Sequence, residues 1–207
     1  MPNHVTTICT VTGPAADVAA FVERHITPVL CDRHDDCKDS PALAATCFDQ
    51  RHFDFQTIIP MPEVLKGTLS PARAHPQNTK AEAETGFSNW YDWSIEKWGT
   101  QWDAYDYEEK ERAAGRFVFK FETAWSFPEP VFEKLAELHP ALIFDVASFD
   151  EGWCFGALGQ FNGRDDFRAE KSLATAELYE RVYGRKPDDE ESEDSAAPVL
   201  TGGEADR

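Results

Sequence analysis

The chain has 207 residues, with 38 acidic side chains against 20 basic ones and a formal net charge of −18. Such a field disfavours direct binding to DNA or RNA, which relies on Lys and Arg displacing counterions from phosphates, and no apolar run approaches the roughly 20 residues of a membrane-spanning helix. The 15 Phe, 6 Trp and 5 Tyr supply the apolar volume of one well-packed core, which argues against a wholly disordered chain.

Along the chain, residues 3–12 alternate Val5, Thr7, Cys9 and Val11 against Thr6, Ile8 and Thr10, the period of a strand. Gly13-Pro14 ends it and opens a helix of about four turns, in which Val18, Phe21, Val22, Ile26 and Val29 recur at helical spacing. His25 lies on that apolar face and reads as a core-edge residue. Residues 31–51 lose all periodicity. Phe53, Phe55, Ile58 and Ile59 predict a second strand, stopped by Pro60-Met61-Pro62, and residues 66–87 read as a surface loop.

Residues 90–98 predict a helix, with Tyr91, Ile95 and Trp98 on a stripe facing the core and Trp90, Trp93 and Lys97 on the opposite side. Either the 66–87 segment covers those tryptophans or they form a contact surface of the kind rich in Trp and Tyr. Gly99 is expected to stop the helix, leading into an irregular extended segment through Trp102, Asp103, Tyr105 and Asp106. Phe117, Phe119 and Phe121 alternate as a strand with one buried face. Ser126-x-x-Glu129 is a capping-box signal for a helix that turns Val131, Leu135 and Leu138 inward and stops at His139-Pro140. Residues 141–148 and 153–161 predict two strands joined by the Asp150-Glu151-Gly152 turn, and residues 172–185 a last helix.

The order matches an α+β chain on the ferredoxin-like βαββαβ sandwich plan, with an added C-terminal strand, an inserted Trp-rich helical segment and a disordered acidic tail. This places a domain at 1–165 with insertions at 31–51 and 66–116, a C-terminal helix at 166–186 and the tail at 187–207. The tail carries eight acids and one base, a net −7, which leaves −11 on residues 1–186.

Five cysteines, an odd number, and an opening Met1-Pro2-Asn3-His4-Val5 without a basic segment and apolar run predict reduced thiols in a bacterial cytoplasm. Cys9 and Cys154 read as small buried hydrophobes. Cys31-x2-His34-x2-Cys37 and Cys47-x4-His52 together hold enough thiolate and imidazole for zinc. The spacing lacks the Cys-x2-Cys pair of a knuckle, and a metal-free loop is the simpler reading. Asp92, Glu96, Asp103 and Asp106 offer paired carboxylates, with no local His or nucleophile to complete a catalytic set. Capping and pairing with Lys97 are their simpler roles. No phosphate-binding Gly loop, Gly-x-Ser-x-Gly elbow or His-Glu-x-x-His motif is present, and no residue is assigned as catalytic.

Taken together, the opening MPN, FDFQTIIPMPE at 53–63, WYDWSIEKWGTQWDAYD at 90–106, FKFETAWSFPEPVFEKLAELHP at 119–140 and FDEGWCFGALG at 149–159 resemble the YubB ferredoxin-like family of phage- and plasmid-encoded proteins. The chain departs from that pattern at His4 and Thr7, where Trp and Asn are expected. The resemblance implies the fold and a mobile-element context, not an activity.

These readings converge on a non-enzymatic accessory protein that binds a host or defence protein, with a DNA mimic as a sharper form. Its expected surface is Trp90, Tyr91, Asp92, Trp93, Lys97, Trp102, Asp103, Tyr105 and Asp106. One alternative is a small enzyme with a carboxylate-lined site between the sheet and the 90–106 segment, using Asp92, Asp103 or Asp106 with His52. Another is a zinc-stabilised structural module.

Overall fold

The computed structural model describes residues 3–29, 50–71 and 75–188. The expected cysteine and histidine ligands Cys31, His34, Cys37 and Cys47, and all but the first residues of the acidic tail, lie outside the described residues. No described helix is long and apolar enough to cross a membrane.

The first strand, β1 (His4–Thr12), forms where the alternation of Val5, Thr7, Cys9 and Val11 requires it. Helix α1 (Ala15–His25) follows with Pro14 as its N-cap residue and buries Val18, Phe21, Val22 and His25. It is shorter than the apolar spacing predicts. The β-branched pair Ile26-Thr27 leaves the helix and, with Pro28, forms β2 (Ile26–Pro28), antiparallel to β3 (Arg51–Phe53).

The second strand expected over Phe53–Ile59 is therefore only three residues long. Asp54 ends it: its side chain accepts from the Gln56 amide and starts a 3-10 turn over Phe55–Thr57, the local bonding that favours Asp at such positions.

Two further elements were invisible to periodicity. Within the expected 66–87 loop, Pro76–Thr85 forms α2, capped by His75 and ended by a left-handed Gly86. Past the Trp-rich helix α3 (Trp90–Lys97), Tyr105–Ala113 forms β4, an edge strand antiparallel to β5 (Arg116–Ala124). The expected insertion at 66–116 thus contains a strand of the main sheet.

Helix α4 (Glu129–Leu138) buries Val131, Phe132 and Leu135, with Leu138 only half-buried. Its start is not a capping box: Pro128 is the N-cap residue without a side-chain bond, and Ser126 Oγ instead donates to Gly99 O at 2.5 Å. Strands β6 (Ile143–Asp150), β7 (Gly156–Phe161) and β8 (Arg168–Glu170) and helix α5 (Ala176–Tyr183) complete the described elements.

The main sheet has six strands in the order β4-β5-β1-β6-β7-β8, every pairing antiparallel. Its two faces differ. On one, Cys9, Val11, Phe117, Phe119, Phe121, Phe144 and Val146 meet Phe21 of α1, Phe132 of α4 and Phe53 in a single buried cluster. The polar pair Thr7 and Ser148 on this face satisfies itself across β1 and β6 at 2.8 Å.

On the other face, α5 covers only the β6–β7 side, where Leu178, Tyr179 and Val182 join Ala147, Phe149 and Trp153. Gly156 has no side chain because the space a Cβ would take is filled by Leu178 and the Leu173 carbonyl. The β4–β5 side of this face carries the buried Val118 and, toward the start of β1, Lys120, Glu122 and Tyr105, none of these three buried.

Candidate functional site

Helix α3 is anchored by Trp93, expected to face outward, and by Trp98, expected to face the core. Trp93 is 5% exposed and Trp98 3%, and their rings meet edge to face at 5.2 Å. Ile95, expected on the core stripe, is 41% exposed.

The burial around Trp93 and Trp98 has a polar counterpart. Ser94, fully buried, donates to Tyr91 O and Gln101 O, and Trp98 Nε1 donates to Ile59 O at 2.9 Å. Of the Trp90-Trp93-Lys97 stripe, Trp93 packs into the core cluster to which the 63–87 segment contributes Leu65 and Ala81.

Asp92 does structural work. It accepts from Asn89 Nδ2 at 2.7 Å while its amide donates to Asn89 Oδ1 at 3.0 Å, a reciprocal N-terminal cap. Lys97 pairs with Glu96 and lies 5.4 Å above the Phe87 ring. Trp90 and Tyr91 are half-buried and pack edge to face.

The remaining expected residues fall into two places. The first is the end of the sheet where β1 begins. Trp102, 36% exposed, precedes β4, and Trp125, 49% exposed, follows β5. Because Tyr105 pairs with Glu122 and Thr100 Oγ1 donates to Ala124 O, both tryptophans lie at the same end. Trp125 N donates to Asn3 O.

Between them His4 Nδ1 lies 2.8 Å from Tyr105 OH and 3.3 Å from Glu122 Oε2, and Thr6 Oγ1 lies 3.3 Å from Glu122 Oε1 and 3.2 Å from Tyr183 OH. The Glu122 carboxyl is raised, first by burial and then by the Asp106 charge. Tyr105 is raised by burial and then by Glu122, Asp106 and Glu151.

Three non-glycine residues at this end have left-handed backbones, Asp106 (φ 47°), Trp125 (φ 69°) and Trp153 (φ 56°). That conformation is costly for bulky side chains and concentrates where a structure holds groups for a purpose. His4, Glu122 and Tyr183 were missed in the sequence because only the strand register joins them.

The second place is on the other side of β4. His52, Asp54 and Asp103 each present one donor atom, all within 4.8 Å of one another. Asp103 Oδ1 accepts from the Phe55 amide at 3.0 Å and the Ala104 amide at 2.8 Å. Burial pushes its carboxyl up to about 7, against those amides and with a smaller push from Asp54. His52 and Ala104 lie in the wall of a cleft of about 770 Å³ that is also lined by Tyr105, Asp106 and Tyr107. The Tyr107 hydroxyl is buried without a hydrogen-bond partner. Asp106 is exposed at a bulge of β4 and is not one of the three clustered donors.

Among the described residues Cys9 is buried, as expected, but Cys154 is exposed in the turn before β7. Its thiol is raised, first by burial and then by Asp150, which is unfavourable for a nucleophile. The chain matches no family model, no curated protein and no solved structure.

Proposed function

We propose that this is a non-enzymatic binding protein built on the ferredoxin-like plan and carried by a phage or plasmid, which engages a basic host or defence protein through the tryptophan-bearing end of its sheet. The strand order supports the plan: the four strands β4-β5-β1-β6 stand in the order 2-3-1-4 of a βαββαβ unit. The observation that carries the binding reading is the exposure of Trp102 and Trp125 at one end of the sheet, beside Asp106, Glu122 and Glu151. Exposed Trp supplies the rigid apolar anchor typical of interface hot spots, and the surrounding carboxylates on a chain of net charge −18 select a partner of opposite sign.

A folded partner surface is favoured over phosphate mimicry. The acids of the edge strand, Glu108, Glu109 and Glu111, are matched by Lys110, Arg112 and Arg116, so they do not form the unbroken carboxylate row that a DNA mimic needs. Purification of the tagged full chain from a bacterial host, with mass spectrometry of what accompanies it, tests the reading. A basic protein retained at low salt and released at high salt is expected, and retention of no specific protein would count against it.

A second reading, a small enzyme with a carboxylate-lined site, is favoured by the convergence of His52, Asp54 and Asp103. Asp92 has no part in it, being committed to the cap of α3. A zinc-stabilised module would draw on Cys31, His34, Cys37 and Cys47 outside the described residues.

A further inference from the structure

We propose that His52, Asp54 and Asp103 form a binding site for one divalent transition-metal cation of the class of Mn²⁺ or Zn²⁺. This inference stands apart from the binding function proposed above and rests on different residues.

The hydrogen atoms around His52 carry the argument. Thr27 Oγ1 donates its single proton to Asp54 Oδ2 at 3.0 Å. Its contact with His52 Nδ1 at 3.5 Å therefore requires the imidazole to donate from Nδ1. Its Nε2 faces Asp54 Oδ1 at 3.9 Å, and Asp103 brings a third donor atom within 4.8 Å of those of His52 and Asp54. A cation at this point bridges all three donors, which a proton on Nε2 cannot do. The arrangement also matches how ligating histidines are held, with the second ring nitrogen donating to an oxygen that fixes tautomer and orientation.

The carboxylates are oriented in the same way. Asp54 Oδ1 accepts from the Gln56 amide at 2.9 Å, and Asp103 Oδ1 accepts two backbone amides, leaving Asp103 Oδ2 with no partner among the described residues. A cation held at roughly 2.1 Å needs its donors about 3–4 Å apart. Separations within 4.8 Å reach this by small side-chain rotations. One imidazole and two carboxylates suit Mn²⁺, Fe²⁺ or Zn²⁺ rather than the all-oxygen shells of Ca²⁺ and Mg²⁺. Three protein donors leave positions for water on the side of the cleft that His52 lines.

The full chain, stripped with a chelator, is titrated with MnCl₂ while free Mn²⁺ is followed by electron paramagnetic resonance. Mn²⁺ is the probe because it favours oxygen and nitrogen donors over the thiolates of Cys31, Cys37 and Cys47. One Mn²⁺ per chain is expected, with affinity reduced at least tenfold in Asp103→Asn and in His52→Gln, and unchanged in Glu137→Gln on the exposed side of α4. Asparagine keeps the oxygen that accepts from Phe55 and Ala104, so Asp103→Asn folds and decides the question even if His52→Gln does not. No Mn²⁺ bound by the wild type would overturn the proposal and leave His52 and Asp54 as a simple ion pair. Equal binding by Asp103→Asn would overturn it equally, reducing the effect to diffuse attraction by an acidic surface.

Discussion

His25 Nε2 lies 2.9 Å from His139 Nε2, joining the end of α1 to the end of α4 inside the first core. The proton positions follow from one hydroxyl. Thr57 Oγ1 donates to Asp54 O at 2.7 Å, so at its 2.7 Å contact with His25 it accepts from Nδ1. Burial keeps the His25 ring neutral, so with its proton on Nδ1 its Nε2 accepts from His139 Nε2–H. Burial first, then His139 and Arg24, hold His25 down at about 3. His139 is also lowered, by burial and Arg24, with Asp17 opposing.

That pair predicts an acid-side loss of stability. The unfolded chain takes up a proton near pH 6.5 that His25 refuses until about pH 3. The stabilisation is therefore complete above about pH 6.5 and falls as the pH drops toward 3. Urea unfolding at pH 7.5 and pH 5 measures it. His25→Gln, which lacks the titrating ring, is expected to lose less stability than wild type over that interval.

The tryptophans separate into two classes. Trp93→Ala removes a buried ring from between α3 and the core and is expected to cost about 3–5 kcal/mol. Trp102→Ala acts at an exposed position and is expected to stay within about 0.5 kcal/mol of wild type. Paired denaturation curves distinguish them, and equal losses would refute the burial assignment.

Phe53 is fully buried and its ring meets those of Phe21, Phe55, Phe119, Phe121 and Phe132. Phe53→Ala should destabilise by about 3–5 kcal/mol, with the loss read from the urea midpoint at an unchanged slope.

Tyr107 presents the opposite case. Its hydroxyl is buried without a partner, and such a group costs about 1–3 kcal/mol against one that is bonded. Tyr107→Phe is expected to be neutral or to raise the melting temperature, whereas a clear loss would reveal a partner for that oxygen.

What the sequence disclosed depends on where apolar contrast was strong. β1 and β5 set a buried face against mostly polar neighbours, so Val5-Thr7-Cys9-Val11 and Phe117-Phe119-Phe121 carry a period of two, whereas β6 is buried on both faces from Val146 to Asp150. β4 carries no such signal because it is an edge strand, and its run Glu108-Glu109-Lys110-Glu111-Arg112 is the charge that keeps an edge from pairing with other chains. α2 buries only Asn78 and Ala81, too little for a stripe. For α3 the period was right but the face is rotated: Trp98 is buried as expected, whereas Trp93 is buried, Ile95 is exposed and Ser94 makes two hydrogen bonds in the interior.

The site residues were legible one at a time. His52 and Asp103 stood among the expected candidates, but their meeting depends on the β2–β3 ladder, the 3-10 turn after Asp54 and the Phe55 amide that holds Asp103. The His4–Glu122–Tyr183 cluster depends wholly on the register of β1 with β5 and on the docking of α5.

The most direct test of the binding role is a calorimetric titration of the co-purified basic protein against the wild-type chain and against a Trp102→Ala/Trp125→Ala variant, each at low and high salt. At least a tenfold loss of affinity is expected in the double variant with an unchanged melting temperature, and weaker wild-type binding at high salt. Wild-type affinity in the double variant would contradict that role and move the interface away from this end of the sheet.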